Sequence, residues 1–184
     1  MRGLLISSIL FLIACSSIDC PVQNTVAVYY GVKNYDVGGE LKTDTLKDTL
    51  WVWTRRIDGK DTLLNSLVGK TAFALPVSYQ DPEDTLIFFI ADTFSVWTLD
   101  TVWLKKDDIP HFESVDCPAN YFHNLTAVRS THNGIDTIIL HTPSVTYDES
   151  VTNLNIIFKP RQQVESEESQ QVESEDDQQV ESEE

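Results

Sequence analysis

Apolar residues recur at every second position along much of this chain, and that period decides what it can fold into. Val26, Val28, Tyr30 and Val32 alternate with smaller neighbours, and Phe73, Leu75, Val77 and Tyr79 do the same. Leu154, Ile156 and Phe158 alternate with Asn153, Asn155 and Lys159. Successive side chains on an extended strand point to opposite faces, so a two-residue period marks strands with one buried face. No long stretch between Thr25 and Pro160 carries the 3.6-residue apolar stripe of a helix. Thr85 to Ala91 (TLIFFIA) is continuously apolar and reads as a central strand. Pro76 has no amide hydrogen to donate, which puts its strand at an edge.

Two dipeptides accept the positive φ of a two-residue hairpin turn, Asp58-Gly59 and Asn133-Gly134. The first predicts pairing of Arg56 with Asp61 and Trp53 with Leu64. The second predicts pairing of His132 with Ile135, with Arg129 diagonal to Asp136 as a cross-strand ion pair. Candidate segments and turns together predict an all-β fold, an antiparallel, Ig-like β-sandwich of about 8–10 strands.

Charge divides the chain. Of the net charge of −16, the segment 161–184 holds about −9 and the 146 residues before it about −8. With no basic patch to offset this, nucleic-acid binding is excluded as a function. In the acidic segment the string QQVESE occurs three times, at Gln162 to Glu167, Gln170 to Glu175 and Gln178 to Glu183. One valine per repeat cannot build a core and the carboxylates repel one another, so a disordered, solvated tail is expected over 161–184.

The opposite end is a targeting segment. Arg2 precedes LLISSILFLIA, Leu4 to Ala14, a signal-peptide layout too short to span a hydrocarbon core about 30 Å thick. Leu12-Ile13-Ala14-Cys15 resembles the bacterial lipobox, which implies cleavage after Ala14 and lipidation of Cys15. Several acyl chains anchor firmly where one binds only marginally. Ser16-Ser17 follow, with no Asp and no acidic run, and the resemblance then implies outer-membrane sorting on the periplasmic face. The expected organisation is a signal peptide over 1–14, an anchor and linker over 15–24, a β-sandwich domain over 25–160 and the tail.

Lipidation of Cys15 leaves Cys20 and Cys117, whose contexts echo each other as SIDCP and SVDCP. A disulfide between them would close a loop of about 98 residues, worth at most about 4–5 kcal/mol in the chain-entropy model. Two free thiols or a metal site are the alternatives, although two cysteines alone make no zinc site.

No residue pattern carries a recognisable chemistry. The GxSxG, HExxH, CxxC and P-loop patterns are missing. The expected hairpin register puts His132 and His141 about 20 Å apart, with His123 on the opposite face, so neither a metal nor another cofactor is expected. Asn34 to Glu40 is a glycine-rich acidic turn without the DxDxDG order of a calcium loop, so a calcium-associated role is only a remote alternative. Trp51 and Trp53 point to the same side of one strand, as a stacking platform for a glycan requires, although aromatic residues in strands more often belong to the core. Asp-Thr occurs seven times, six times before Leu, Ile or Val. This is similar to the acceptor motif of periplasmic O-glycosylation in Bacteroidota, but turns ending in Asp before strands opening with Thr would produce the same dipeptides.

KKDDIPHFESVDCPANYFH and VRSTHNGIDTIILHTPSVTYD, with SIDCP upstream, resemble an uncharacterised Bacteroidota lipoprotein family. The resemblance covers most of Cys15 to Lys159 and implies a lipid-anchored β-rich envelope domain in which Cys20 and Cys117 match the paired cysteines. It supplies no catalytic or ligand residues. The expected function is a non-enzymatic outer-membrane accessory, bound to the membrane through Cys15, that binds another envelope protein or a surface polymer. A carbohydrate-binding module is the alternative.

Overall fold

The computed structural model describes residues 26–56, 59–92, 96–114 and 117–160. Cys15, Cys20, the segments 1–14 and 15–24 and the acidic repeat therefore lie outside the described residues.

Every regular element among those residues is a strand. In chain order they are β1 (Ala27–Tyr35), β2 (Leu41–Thr43), β3 (Thr49–Arg56), β4 (Gly59–Leu67), β5 (Ala72–Pro76) and β6 (Glu83–Ala91). β7 (Trp97–His111), β8 (Asn120–Ser130), β9 (Ile135–Leu140), β10 (Ser144–Val145) and β11 (Leu154–Phe158) follow. The first sheet runs β2-β1-β11-β9, with β5 also paired to β1, and the second runs β10-β8-β7-β6-β3-β4. The fold is all-β and sandwich-like, as the alternation predicts, and two of the eleven strands among the described residues are only two or three residues long. One pair departs from the antiparallel pattern: β1 and β11 run parallel, Tyr30 opposite Leu154 through Lys33 opposite Ile157.

The alternating positions supply the core between the sheets. Val28, Tyr30 and Val32 of β1, Phe73 and Leu75 of β5, and Leu154 and Ile156 of β11 face Leu50, Val52, Leu86, Phe88, Ile90, Val102 and Leu104 of the second sheet. At its centre Tyr30 stacks on Phe73, ring centroids 4.8 Å apart, and Phe88 packs against both from the opposite sheet. The apolar run Thr85 to Ala91 forms most of β6, which lies between β3 and β7. Pro76 ends β5, paired with β1 alone. Tyr79, expected to extend the buried alternation, lies beyond β5 and is exposed.

Both expected hairpins need correction. β3 and β4 do pair, but Gly59 sits opposite Arg56 at the start of β4 instead of in the turn. Thr54 then faces Asp61 and Trp53 faces Thr62, until two irregularities bring Val52 opposite Leu64 and Leu50 opposite Leu67. β4 carries the extra residues, and Ser66 there takes a positive φ of 55°, as a bulge residue does. Asn133-Gly134 makes no hairpin at all, because β8 belongs to the second sheet and β9 to the first.

The cause of that crossing is Asp100, fully buried on β7. Its Oδ1 accepts hydrogen bonds from Thr131 Oγ1 (2.7 Å) and the amide of Asn133 (2.6 Å). Its Oδ2 accepts from the amides of Gly134 (2.6 Å) and Ile135 (2.8 Å). A carboxylate that satisfies three consecutive amides fixes the corner and sends the chain to the other sheet. Burial works against the charge, but these four bonds outweigh it and hold the Asp100 carboxyl below its ordinary range. Arg129 consequently does not meet Asp136; its Nη2 donates to Glu83 Oε1 at 2.9 Å.

Candidate functional site

The outer face of the second sheet carries the first candidate. On β3 the buried Leu50 and Val52 alternate with Trp51 and Trp53, which therefore point away from the core. On β6 Phe88 and Ile90 face inward and Phe89 outward, and Phe89 lies opposite Trp51. On β7 Trp97, Leu99 and Trp103 alternate with the buried Asp100, Val102 and Leu104. All four tryptophans of the chain thus occupy one outer face, and the more usual core placement does not hold for Trp51 and Trp53.

Phe89 joins three of these indoles, Trp51, Trp53 and Trp97, into one cluster. Phe89 meets Trp51 edge-on at 5.4 Å, lies 6.3 Å from Trp53 and stacks with Trp97 at 5.7 Å. Trp97 is 61% exposed and Leu99 40%, an outward apolar surface that water does not favour. Register places Thr85 opposite Trp103 and Thr101 opposite Ile87, which intersperses hydroxyls on the same face. The Arg129 guanidinium sits 4.0 Å over the Trp103 ring and closes one side.

The second candidate is internal. Alternation along β7 carries inward not only Val102 and Leu104 but also Lys106 and, partly, Asp108. Lys106 is 2% exposed, and its Nζ donates to the Asp81 carbonyl at 2.5 Å and reaches Asp84 Oδ1 at 3.5 Å and Asp108 Oδ1 at 3.9 Å. A buried ammonium needs such partners to offset its lost hydration. Burial pushes the Asp84 carboxyl up, against the Lys106 charge and the Ser78 amide that donates to its Oδ2 at 3.1 Å. His123, opposite Asp108 on β8 and also buried, shares a 2.6 Å hydrogen bond between Nδ1 and Asp108 Oδ1. Burial, with the Asp84 charge second, drives the Tyr30 hydroxyl well above its ordinary value, and that hydroxyl has no hydrogen-bond partner among the described residues.

His123 also lines a cavity of about 510 Å³, together with Val26, Val77, Tyr79, Ala119, Asn120 and Tyr121. The Lys106–Asp108–His123 cluster escapes a motif search because it matches no motif. The inward phase of Val102 and Leu104, continued two and four residues further, was the available signal.

Other expected positions fall elsewhere. His132 uses Nδ1 on the Asp136 carbonyl at 2.7 Å, and His111 stacks on Phe122 at 4.3 Å. Among the described residues no three of His, Cys, Asp or Glu come together as a metal site. The Asn34 to Glu40 segment comprises the end of β1 and the β1–β2 turn, where Asp36 Oδ1 accepts from the Gly38 and Glu40 amides. Cys117 is buried, 8% exposed. The Asp-Thr pairs do not generally mark strand starts: Thr49 opens β3, but Asp61, Asp84, Asp100 and Asp136 lie inside strands.

The structure defines a two-sheet β domain with an aromatic outer face and a cavity beside a buried charged cluster. The chain belongs to a family of unknown function, DUF6452, whose model matches residues 49–158. No curated protein and no solved structure matches the chain.

Proposed function

We propose that this protein is a non-enzymatic, lipid-anchored accessory of the bacterial outer membrane that binds a surface glycan through the tryptophan face of its second sheet. The observation that carries the reading is the placement of Trp51, Trp53, Trp97 and Trp103 on one outer face, with Phe89 among them. Sugar rings present flat C–H faces and a rim of hydroxyls. Aromatic plates with threonine hydroxyls between them complement both, and binding sites of this kind are mostly apolar with a few placed polar groups. Neighbouring strands lie about 4.8 Å apart and alternate residues about 6.8 Å apart, spacings on the scale of one sugar ring.

The lipid anchor at Cys15 and a Cys20–Cys117 disulfide complete the proposal. They rest on the lipobox-like LIAC, the odd cysteine count and the matching contexts of the remaining two. Co-sedimentation of the full chain with insoluble envelope polysaccharide, read against Trp97→Ala, tests the glycan surface. Retention by the parent and loss of retention in Trp97→Ala are expected. A parent chain that fails to sediment, and instead crosslinks to one envelope protein through this face, would replace glycan by protein as the ligand. Palmitate labelling of the parent but not of Cys15→Ala tests the anchor.

A further inference from the structure

We propose that the end of the domain at the β7–β8 connection rests in the headgroup layer of the membrane, with Trp97 and the β1–β2 turn pointing away from it. This orientation rests on the lipid anchor proposed at Cys15 and adds which surface meets the bilayer. Val26, one residue before β1, lines a cavity with Asn120 and Tyr121, so β1 starts at the end where β7 finishes and β8 begins. Val26 stands eleven residues after Cys15, and a chain of that length reaches at most about 40 Å. The proposed Cys20–Cys117 disulfide shortens the tether. Cys117 lies in the β7–β8 connection, and the five residues from Cys15 to Cys20 span at most about 18 Å.

The surface at this end suits a lipid interface. Phe112 is 64% exposed, Tyr79 57% and Ile109 50%, which leaves large apolar side chains in water. Tyr79 stacks on Tyr121 at 4.9 Å, and Phe122 packs edge-on against Tyr147 at 4.9 Å. Tyrosine, with an apolar ring and a polar rim, favours the boundary between headgroups and hydrocarbon. Ile109 lies opposite Phe122 and Pro110 opposite Tyr121, so adjacent positions make the β7–β8 ribbon apolar on both faces. A ribbon covering its own core needs only one such face; two suit an end immersed in headgroups. Charge agrees with this direction. The acidic segment 161–184 follows Lys159, whose amide donates to the Gly134 carbonyl beside Thr98, at the Trp97 end. β7 takes fifteen residues from Trp97 to His111, about 48 Å at 3.4 Å per residue, which holds those carboxylates and the tryptophan face off the bilayer. Exposed Glu113 and Asp148 near the tip favour headgroups of no net charge over anionic ones.

The test reconstitutes the full chain, purified from its own envelope, into phosphatidylcholine vesicles with and without bromine on the acyl chains near the headgroups, because bromine quenches indole emission on contact. The parent, Phe112→Trp and Val37→Trp are compared, Val37 being fully exposed on the β1–β2 turn. Brominated lipid should remove about half or more of the emission that Phe112→Trp adds, as for a ring at headgroup level, and leave that of the parent and of Val37→Trp unchanged. Flotation of the vesicles reports the anchor separately. A chain that floats while Phe112→Trp stays unquenched, or while Val37→Trp is quenched as strongly, keeps the anchor and overturns the orientation. A chain that does not float overturns the anchor and the orientation together. Should Phe112→Trp not fold, Tyr79→Trp decides by the same criterion.

Discussion

Asp100 shows how much one side chain can decide. Its carboxylate replaces the turn that Asn133-Gly134 would otherwise make and directs the chain from one sheet to the other. Asn at this position would set an NH₂ group against amide donors, so Asp100→Asn should cost about 2–4 kcal/mol in urea unfolding. The pH dependence follows from the depressed pKa. The folded value lies below the unfolded value near ~3.9, so this stabilisation is fully present above that pH and is lost as pH falls through the folded value. The gap between parent and Asp100→Asn should therefore narrow below about pH 4. Gly134 is held as tightly: a Cβ there would meet Thr98 Oγ1 and come within 2.9 Å of Ile90 Cδ1. Gly134→Ala should lower stability by about 1–3 kcal/mol, measured as a drop in Tm.

Strands were legible because their signal is a repeated local pattern. Val28, Tyr30 and Val32 or Leu154 and Ile156 declare a buried face with no knowledge of what covers it. Asn133-Gly134 failed for the complementary reason: its turn preference is local, but its partner Asp100 lies more than thirty residues upstream. Alternation also does not say which phase of a strand faces the core, and Leu50-Trp51-Val52-Trp53 is apolar in both. Lys106 and the partly buried Asp108 face inward although charge usually means exposure, so residue type alone does not reveal their place. Removing Trp97, exposed where the other three indoles are half-buried, should change little in the core. Trp97→Ala should shift stability by less than about 1 kcal/mol while altering the tryptophan emission spectrum, checked together by thermal and fluorescence measurement.

Across the whole molecule, β1 is the element on which the first sheet depends. It pairs with β2, β5 and β11 and contributes Val28, Tyr30 and Val32 to the core. The family match begins only at Thr49, after β1 and β2. A fragment limited to residues 49–158 should therefore fail to show dispersed amide resonances, whereas residues 26–160 should show them. The proposed disulfide acts at the same scale, tying the approach to β1 to the segment before β8. Non-reducing mass spectrometry of the mature chain should find two hydrogens fewer than the reduced form, and reduction should lower stability by at most about 4–5 kcal/mol.

The parallel ladder between β1 and β11 has a mechanical consequence. The polypeptide enters this ladder at one end and departs at the other, Tyr30 to Lys33 alongside Leu154 to Ile157. Tension between an attachment before β1 and a load after β11 slides the two strands along each other, so the bridging hydrogen bonds must yield together instead of peeling singly. Stretched in that direction in an optical trap, the domain should resist higher force than when gripped across β3 and β4, whose hairpin unzips bond by bond.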